Sequence, residues 1–210
     1  MNLQFRPAAP DDAEAAVPLV YSSGPAAFDY VFAVPGKADA QAFLRRAFRD
    51  GRGEFGFRNH VVGECDGRIV AAGAAWDGTA NATFALAATR QIVACYGLGA
   101  GTGVMLRGLR VEAIVQPPGR RCWYVAHLGV LPELRSRGIG DTLVRHLLDA
   151  GRARGHTLAA LDVATTNPRA EALYARLGFR TVHERPSTLA NERASVPNHR
   201  RMELPLGPPA

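Results

Sequence analysis

The chain has 210 residues, of which 47% are hydrophobic and 21% charged. These values are ordinary for a soluble globular protein, and the length suits one domain with a full core. The net charge of +6 would suit a nucleic-acid partner, but the arginines are spread along the chain without a basic run or a known binding motif. We therefore expect no nucleic-acid partner.

The cysteines and the first residues of the chain indicate the cellular compartment of the protein. Cys65, Cys95 and Cys122 lack the spacing of a metal site and cannot all pair with one another. They are typical of reduced, mostly buried thiols. The start Met1–Arg6 lacks the apolar core of a signal peptide. We predict a cytoplasmic protein without a metal.

Patterns in the first half of the chain predict helices and a hairpin. Helices are expected near residues 11–21, 24–32 and 37–49. Two strand-like runs follow between Asn59 and Trp76 and meet at Asp66-Gly67, which is a hairpin turn signal.

The segment 79–115 is rich in Ala, Gly and Leu. It predicts two helices, Ala80–Tyr96 and Thr102–Ile114, separated by a flexible turn at the glycine cluster 97–103. Its longest uncharged run falls short of the ~18 residues that indicate a membrane helix, so no membrane is expected. The segment either covers a cleft or forms a homodimer contact.

An anion site is predicted where a strand passes into a helix. The strand-like run Trp123–Val130 ends at Leu131-Pro132, and helical periodicity resumes after Gly140. Unpaired amides at the start of that helix attract anions, and glycine lets the backbone approach a diphosphate. Seven residues make up this turn: Arg135, Ser136, Arg137, Gly138, Ile139, Gly140 and Asp141. Neither the dinucleotide fingerprint nor a P-loop is present.

A second helix completes the pattern. A buried strand is predicted over Thr157–Ala164, followed by a helix from about Pro168 to Leu177. Asn167 is a good N-cap, and Tyr174 lies two turns further on the same face, roughly 10 Å away. Taken alone, Asn167 is a cap and Tyr174 a core residue. Combined with the anion turn, they suggest an enzyme that binds a phosphate-bearing acyl carrier.

These residues resemble the GNAT superfamily of acetyl-CoA-dependent N-acetyltransferases. The similarity is strong from about Trp123 to Val182 and looser toward the N-terminus. It implies an α/β (α+β) fold with a central, mostly antiparallel mixed sheet of six to seven strands flanked by helices, and 79–115 as a helical insertion. It places the cofactor-binding core over 121–182. The length predicts a single domain over 1–205, and the Pro- and Gly-rich end predicts a flexible tail over 206–210.

The resemblance implies a role for each matching residue. Leu128, Gly129 and Val130 would pair their backbone with the pantetheine arm. Residues 135–141 would hold the diphosphate, and Asn167 would contact the cofactor. Tyr174 would protonate the leaving thiolate. Asp162 stands where some relatives carry a glutamate assigned as base.

The implied reaction is direct attack of a primary amine on acetyl-CoA in a ternary complex, because no residue looks like a covalent nucleophile. Candidate bases are Asp162, His127 and Glu133. Strand alternation places His127 on the face opposite Ala126 and Leu128 unless a bulge intervenes, which favours a packed or surface histidine. The acceptor is a small-molecule or peptide amine. The alternative function is a non-catalytic acyl-CoA sensor.

Overall fold

A computed structural model describes residues 2–207 and contains one seven-stranded sheet. The strands lie in the order β1-β2-β3-β4-β5-β7-β6. All neighbouring strands are antiparallel except β4 and β5, which are parallel. Their bounds are Leu3–Pro7, His60–Cys65, Arg68–Trp76, Cys122–Val130, Leu158–Ala164, Arg180–Arg185 and His199–Pro205 for β1 to β7. The predicted fold class is confirmed.

Six α-helices flank the sheet. They are α1 Ala13–Ser22, α2 Pro25–Phe32, α3 Ala40–Asp50, α4 Asn81–Glu112, α5 Ile139–Ala153 and α6 Pro168–Arg176. Two large hydrophobic clusters form most of the core, one among α1 to α4 and the other beneath α5 and α6, and a small third cluster includes Trp76 and Tyr124. The neighbouring residues Ala71 and Ala72 of β3 belong to different clusters, because side chains alternate across a strand. The sheet therefore separates the two helical layers.

Local signals fixed several elements as predicted. The hairpin between β2 and β3 turns at Asp66 and Gly67, both with positive φ. The Asn167 side chain accepts a hydrogen bond from the Ala170 N–H at 3.1 Å and caps α6.

The two helices predicted for the segment 79–115 are present within α4, but the break between them is a kink at Gly97 and not a flexible turn over 97–103. Only Gly97 leaves the helical conformation, with φ 75° and ψ 175°, and α4 continues beyond this kink. The Tyr96 hydroxyl donates to the Phe32 carbonyl oxygen at 2.7 Å, and Arg107 donates to that of Val31 at 2.8 Å. By length and composition, the stretch Gly78–Glu112 could cross a membrane. These bonds tie it to α2 instead.

The predicted tail is partly wrong. Leu206 is buried, and its N–H donates to the Thr157 carbonyl oxygen at 2.8 Å, so the chain is held to the sheet one residue beyond β7. Residues 208–210 lie outside the described residues. The domain bounds 1–205 and 121–182 stay predictions.

Candidate active site

A cavity of about 1160 Å³ opens where β4 and β5 separate. The two strands pair only from Cys122 with Leu158 to Tyr124 with Ala160. Beyond that point they are not paired, and both strands line the cavity together with α2, α4, α5 and α6. The edge of β4 that faces β5 therefore has backbone groups free for a ligand.

A β-bulge turns His127 into this cavity. Ala72 pairs with Gly129 and Ala74 with Ala126, so two residues of β4 stand opposite one residue of β3. His127 takes the left-handed conformation, with φ 56°. Ala126, His127 and Leu128 all line the cavity as a result. The expectation that His127 faces away from the site is wrong, because the bulge breaks strand alternation.

Gly129 is required for helix packing. A Cβ at this position would lie 2.1 Å from the Leu19 carbonyl oxygen of α1, which is far inside van der Waals contact. Gly129 also lines the cavity beside Leu128 and Val130. Its missing side chain therefore lets α1 approach the strand that borders the site.

Replacing Gly129 with alanine is expected to lower the free energy of unfolding by about 1–3 kcal/mol, because α1 must move away from β4. Urea denaturation would measure the change. Gly119→Ala is the matched control, since a Cβ there meets nothing within 4 Å. Equal stability of the two variants would show that α1 and β4 are not in close contact.

The predicted diphosphate turn lines the cavity where α5 begins. Gly138 precedes α5 with φ 85°, and Ser136 also has a positive φ of 65°. Because α5 begins at Ile139, its first amides have no partner within the helix. Every residue of the turn lines the cavity except Arg137, which is exposed and lies outside the lining.

Two arginines, one in the turn and one in α6, add positive charge at this end of the cavity. Arg135 donates through Nε to the Val130 carbonyl oxygen at 3.1 Å. Arg169, in the first turn of α6, donates to Ser136 Oγ at 2.9 Å and lines the cavity. Sequence reasoning missed Arg169, although its place two residues after the Asn167 cap was a usable signal. Together these side chains make this end of the cavity electropositive.

Tyr174 and Asn167 line the same cavity from α6. Tyr174 is only 8% exposed, and burial raises the pKa of its phenol above the usual value. Burial is the cause of this shift, and no hydrogen bond from a described protein group contributes to it. The phenol therefore stays protonated at neutral pH and is available to a ligand.

Asp162 is engaged by neighbouring side chains. The Tyr124 hydroxyl donates to Asp162 Oδ2 at 2.8 Å, and Arg201 Nε lies 3.2 Å from the same oxygen. Oδ1 is buried, with no hydrogen-bond partner among the described residues. Burial raises the pKa of Asp162, and the charge of Arg201 opposes this shift. Asp162 lines the cavity, but it is held mainly by protein groups.

A chain of hydrogen bonds fixes the proton on His127. His60 Nδ1 lies 2.9 Å from the Gly56 carbonyl oxygen, so Nδ1 carries the proton and Nε2 is an acceptor. Burial lowers the pKa of His60 to about 3, which keeps it neutral. His127 Nδ1 lies 3.1 Å from His60 Nε2 and must donate to it. The other ring nitrogen of His127, Nε2, lies 3.3 Å from Glu54 Oε1.

The remaining candidate base does not reach the cavity. Glu133 is exposed and pairs with Arg68 at 2.8 Å, outside the cavity lining. Within residues 2–207, no group of three or more metal-ligating side chains comes together.

Comparison with known families identifies the chain. The model of the Acetyltransferase (GNAT) family matches residues 34–179, more than half of the sequence. The chain belongs to the GNAT acetyltransferase family. It is therefore an acyltransferase, and the resemblance inferred from the sequence is confirmed.

Similar proteins show how far the likeness extends. A segment of 53 residues is 40% identical to ribosomal protein bS18-alanine N-acetyltransferase of Salmonella typhimurium. It covers 25% of this chain and 36% of that enzyme, so the two sequences align over about a third of the enzyme's length.

Solved structures of GNAT proteins share the fold over nearly the whole chain. The ribosomal-protein-S18-alanine N-acetyltransferase of Escherichia coli is 16% identical, with a TM-score of 0.57 over 98% of this chain and 95% of its own. A polyamine N-acetyltransferase of Drosophila melanogaster is 20% identical, with a TM-score of 0.58 over 97% and 100%. A GNAT protein of Kribbella flavida is 19% identical, with a TM-score of 0.58 over 97% of each chain. At these identities the likeness concerns the fold alone.

Proposed function

We propose that this GNAT protein transfers an acetyl group from acetyl-CoA to a primary amine by direct attack in a ternary complex. One observation carries the proposal. The anion-binding turn, the free edge of β4, the phenol of Tyr174 and the imidazole of His127 all line one continuous cavity.

The residues of the turn suit a diphosphate. A Cβ on Gly138 would meet nothing within 4 Å, so the backbone there is open to a ligand. The amides of Gly138, Ile139, Gly140 and Asp141 would donate to the phosphate oxygens, with the positive end of the α5 dipole behind them. Arg135 and Arg169 would add charge-assisted hydrogen bonds at the rim.

The pantetheine arm would lie in the gap between β4 and β5. Leu128, Gly129 and Val130 border this gap and would pair their backbone with the amides of the arm. A main-chain N–H near Gly129 would then stabilise the negative charge that develops on the thioester oxygen. Asn167, which also lines the cavity, would contact the carrier beside α6.

His127 is our proposed general base. Its Nε2 can take the proton of the incoming ammonium, and Glu54 would stabilise the imidazolium that forms. Asp162, the base suggested by the resemblance, suits this role less well because Tyr124 and Arg201 occupy Oδ2. We propose that Asp162 instead orients Tyr124 at the base of the gap.

Tyr174 is our proposed general acid. Its buried phenol keeps a proton at neutral pH and would donate it to the departing sulfur. The free thiols Cys65, Cys95 and Cys122 support the expected cytoplasmic location, where such groups stay reduced.

A thiol-release assay tests the proposal. Purified protein is mixed with acetyl-CoA and a panel of primary amines, and free sulfhydryl is followed together with the mass of the amine product. We expect amine-dependent thiol release with a matching acetylated product. Tight binding of CoA without release for any amine would contradict the proposal and favour an acyl-CoA sensor.

Substituting Tyr174 with phenylalanine is expected to reduce kcat about 10²-fold, because the thiolate then leaves without a proton donor. The affinity for CoA should change little, since the ring still fills its site. Tyr30→Phe is the control, because Tyr30 is buried outside the cavity lining. Unchanged kcat for Tyr174→Phe would remove the phenol from the mechanism.

A further inference from the structure

The part of the cavity remote from the diphosphate turn has predominantly apolar walls, and we call it the acceptor chamber. Its walls are Phe28, Phe55, Trp76, Phe84, Ile92 and Met105. Trp76 comes from β3, and Phe84, Ile92 and Met105 come from α4. The helical insertion therefore forms one wall. The bonds from Tyr96 and Arg107 to α2 hold that wall in place.

Aromatic rings surround the proposed base. The imidazole of His127 stacks on Phe55, with ring centroids 5.2 Å apart. Trp76 lies at 5.5 Å and Phe28 at 6.1 Å from the same imidazole. An amine that places its nitrogen at His127 Nε2 must therefore place the rest of its body among these rings.

The charges in the chamber select a cation. Among the residues that line the cavity, Glu54 and Glu112 are the carboxylates beside the chamber. Arg135, Arg169 and Arg176 lie at the α5 and α6 end together with Asp141, and Asp162 lies on β5, paired with Arg201. Partial burial, followed by the negative charge of Glu54, raises the pKa of Glu112. A single ammonium group near both carboxylates would relieve this repulsion.

We propose that the acceptor is an arylalkyl primary amine, with its ammonium group between Glu54 and Glu112 and its ring among Phe55, Trp76 and Phe84. This inference rests on the proposed function and specifies its substrate. Aromatic walls favour an aryl body through edge and stacking contacts, and they stabilise the nearby ammonium through cation–π attraction. A polyamine would leave the aryl contacts of these rings unmade, and a peptide would bury amide groups without partners.

An acceptor comparison tests the inference. The probes are 2-phenylethylamine, putrescine and an alanyl tripeptide with a free N-terminus, each in the thiol-release assay with acetyl-CoA. We expect 2-phenylethylamine to give the highest kcat/KM, at least about tenfold above the other two. A higher kcat/KM for putrescine or the peptide would overturn the inference while leaving the acetyltransferase function intact.

A binding measurement distinguishes a failure of the proposed acetyltransferase function from a failure of the proposed aryl-amine site. Trp76 forms a wall of the chamber, so 2-phenylethylamine should change the tryptophan fluorescence of the wild type and change it much less in Trp76→Phe. Binding without thiol release would uphold the chamber as an aryl-amine site and contradict the acetyltransferase function. No binding of 2-phenylethylamine at saturating CoA would overturn the inference itself.

A charge variant tests the placement of the ammonium group. Glu112→Gln is expected to raise KM for 2-phenylethylamine about tenfold with little change in kcat, because a charged partner of the ammonium is lost. Glu192→Gln, an exposed site outside the cavity lining, serves as the control. An unchanged KM for Glu112→Gln would remove Glu112 from the site.

Discussion

Replacing His127 with alanine is expected to lower kcat/KM about 10²- to 10³-fold, because the ammonium substrate then loses the group that removes its proton. The affinity for CoA should be unchanged, since His127 lies beside the acceptor chamber and not at the diphosphate turn. Thiol release at saturating acetyl-CoA would measure the loss, and isothermal titration with CoA would measure the affinity.

A second substitution distinguishes a base from a packing residue. His127→Phe keeps an aromatic ring beside Phe55 and Trp76 but removes the imidazole nitrogens, so it should lose as much kcat/KM as His127→Ala. His183→Ala, on the exposed face of β6, is the control and should behave as the wild type. A wild-type kcat/KM in His127→Phe would contradict the assignment.

Replacing Gly140 with leucine is expected to weaken CoA binding at least about 100-fold, because the new side chain would cover the first amides of α5. The fold should tolerate a Cβ at position 140. A Cβ at Gly140 would lie 3.4 Å from Leu173 Cδ2 and 3.8 Å from Val130 Cγ2, which are ordinary contacts. Isothermal titration with CoA measures the effect.

Two matched variants control for the new side chain. Gly140→Ala should weaken binding only slightly, because a methyl group leaves the amides accessible. Gly99→Leu adds the same side chain on the exposed part of α4, where a Cβ meets nothing within 4 Å, and should bind CoA as the wild type. If Gly140→Leu bound CoA as tightly as Gly99→Leu, the diphosphate could not lie at this turn.

The elements predicted correctly from sequence are those that local chemistry determines. The Asn167 cap, the turn at Asp66 and the glycine before α5 each depend on residues within a few positions of one another. Their conformations therefore follow from side-chain type and backbone freedom alone.

The orientation of His127 was mispredicted because it is not determined locally. His127 enters the cavity through a bulge that depends on the register between β3 and β4. Its tautomer depends on His60, and Glu54 reaches it from the segment that precedes β2. Alternation along β4 alone gave the wrong face, because a bulge is set by the pairing of two strands.

The extent of the break within the long insertion was mispredicted for a related reason. Glycine lowers helix propensity, so the cluster 97–103 favoured a turn. In the structure, Gly97 absorbs the whole irregularity as a kink. Gly101 is buried, and a Cβ at this position would lie 3.4 Å from Ile92 Cγ2. Packing against the rest of the domain overrides the weak local preference here.

A crystal structure with bound CoA tests the central claim most directly. We expect the diphosphate oxygens within hydrogen-bond distance of the main-chain amides of residues 138–141, and the pantetheine arm along β4 in the gap beside β5. A diphosphate bound away from the start of α5, or an arm outside that gap, would contradict the account.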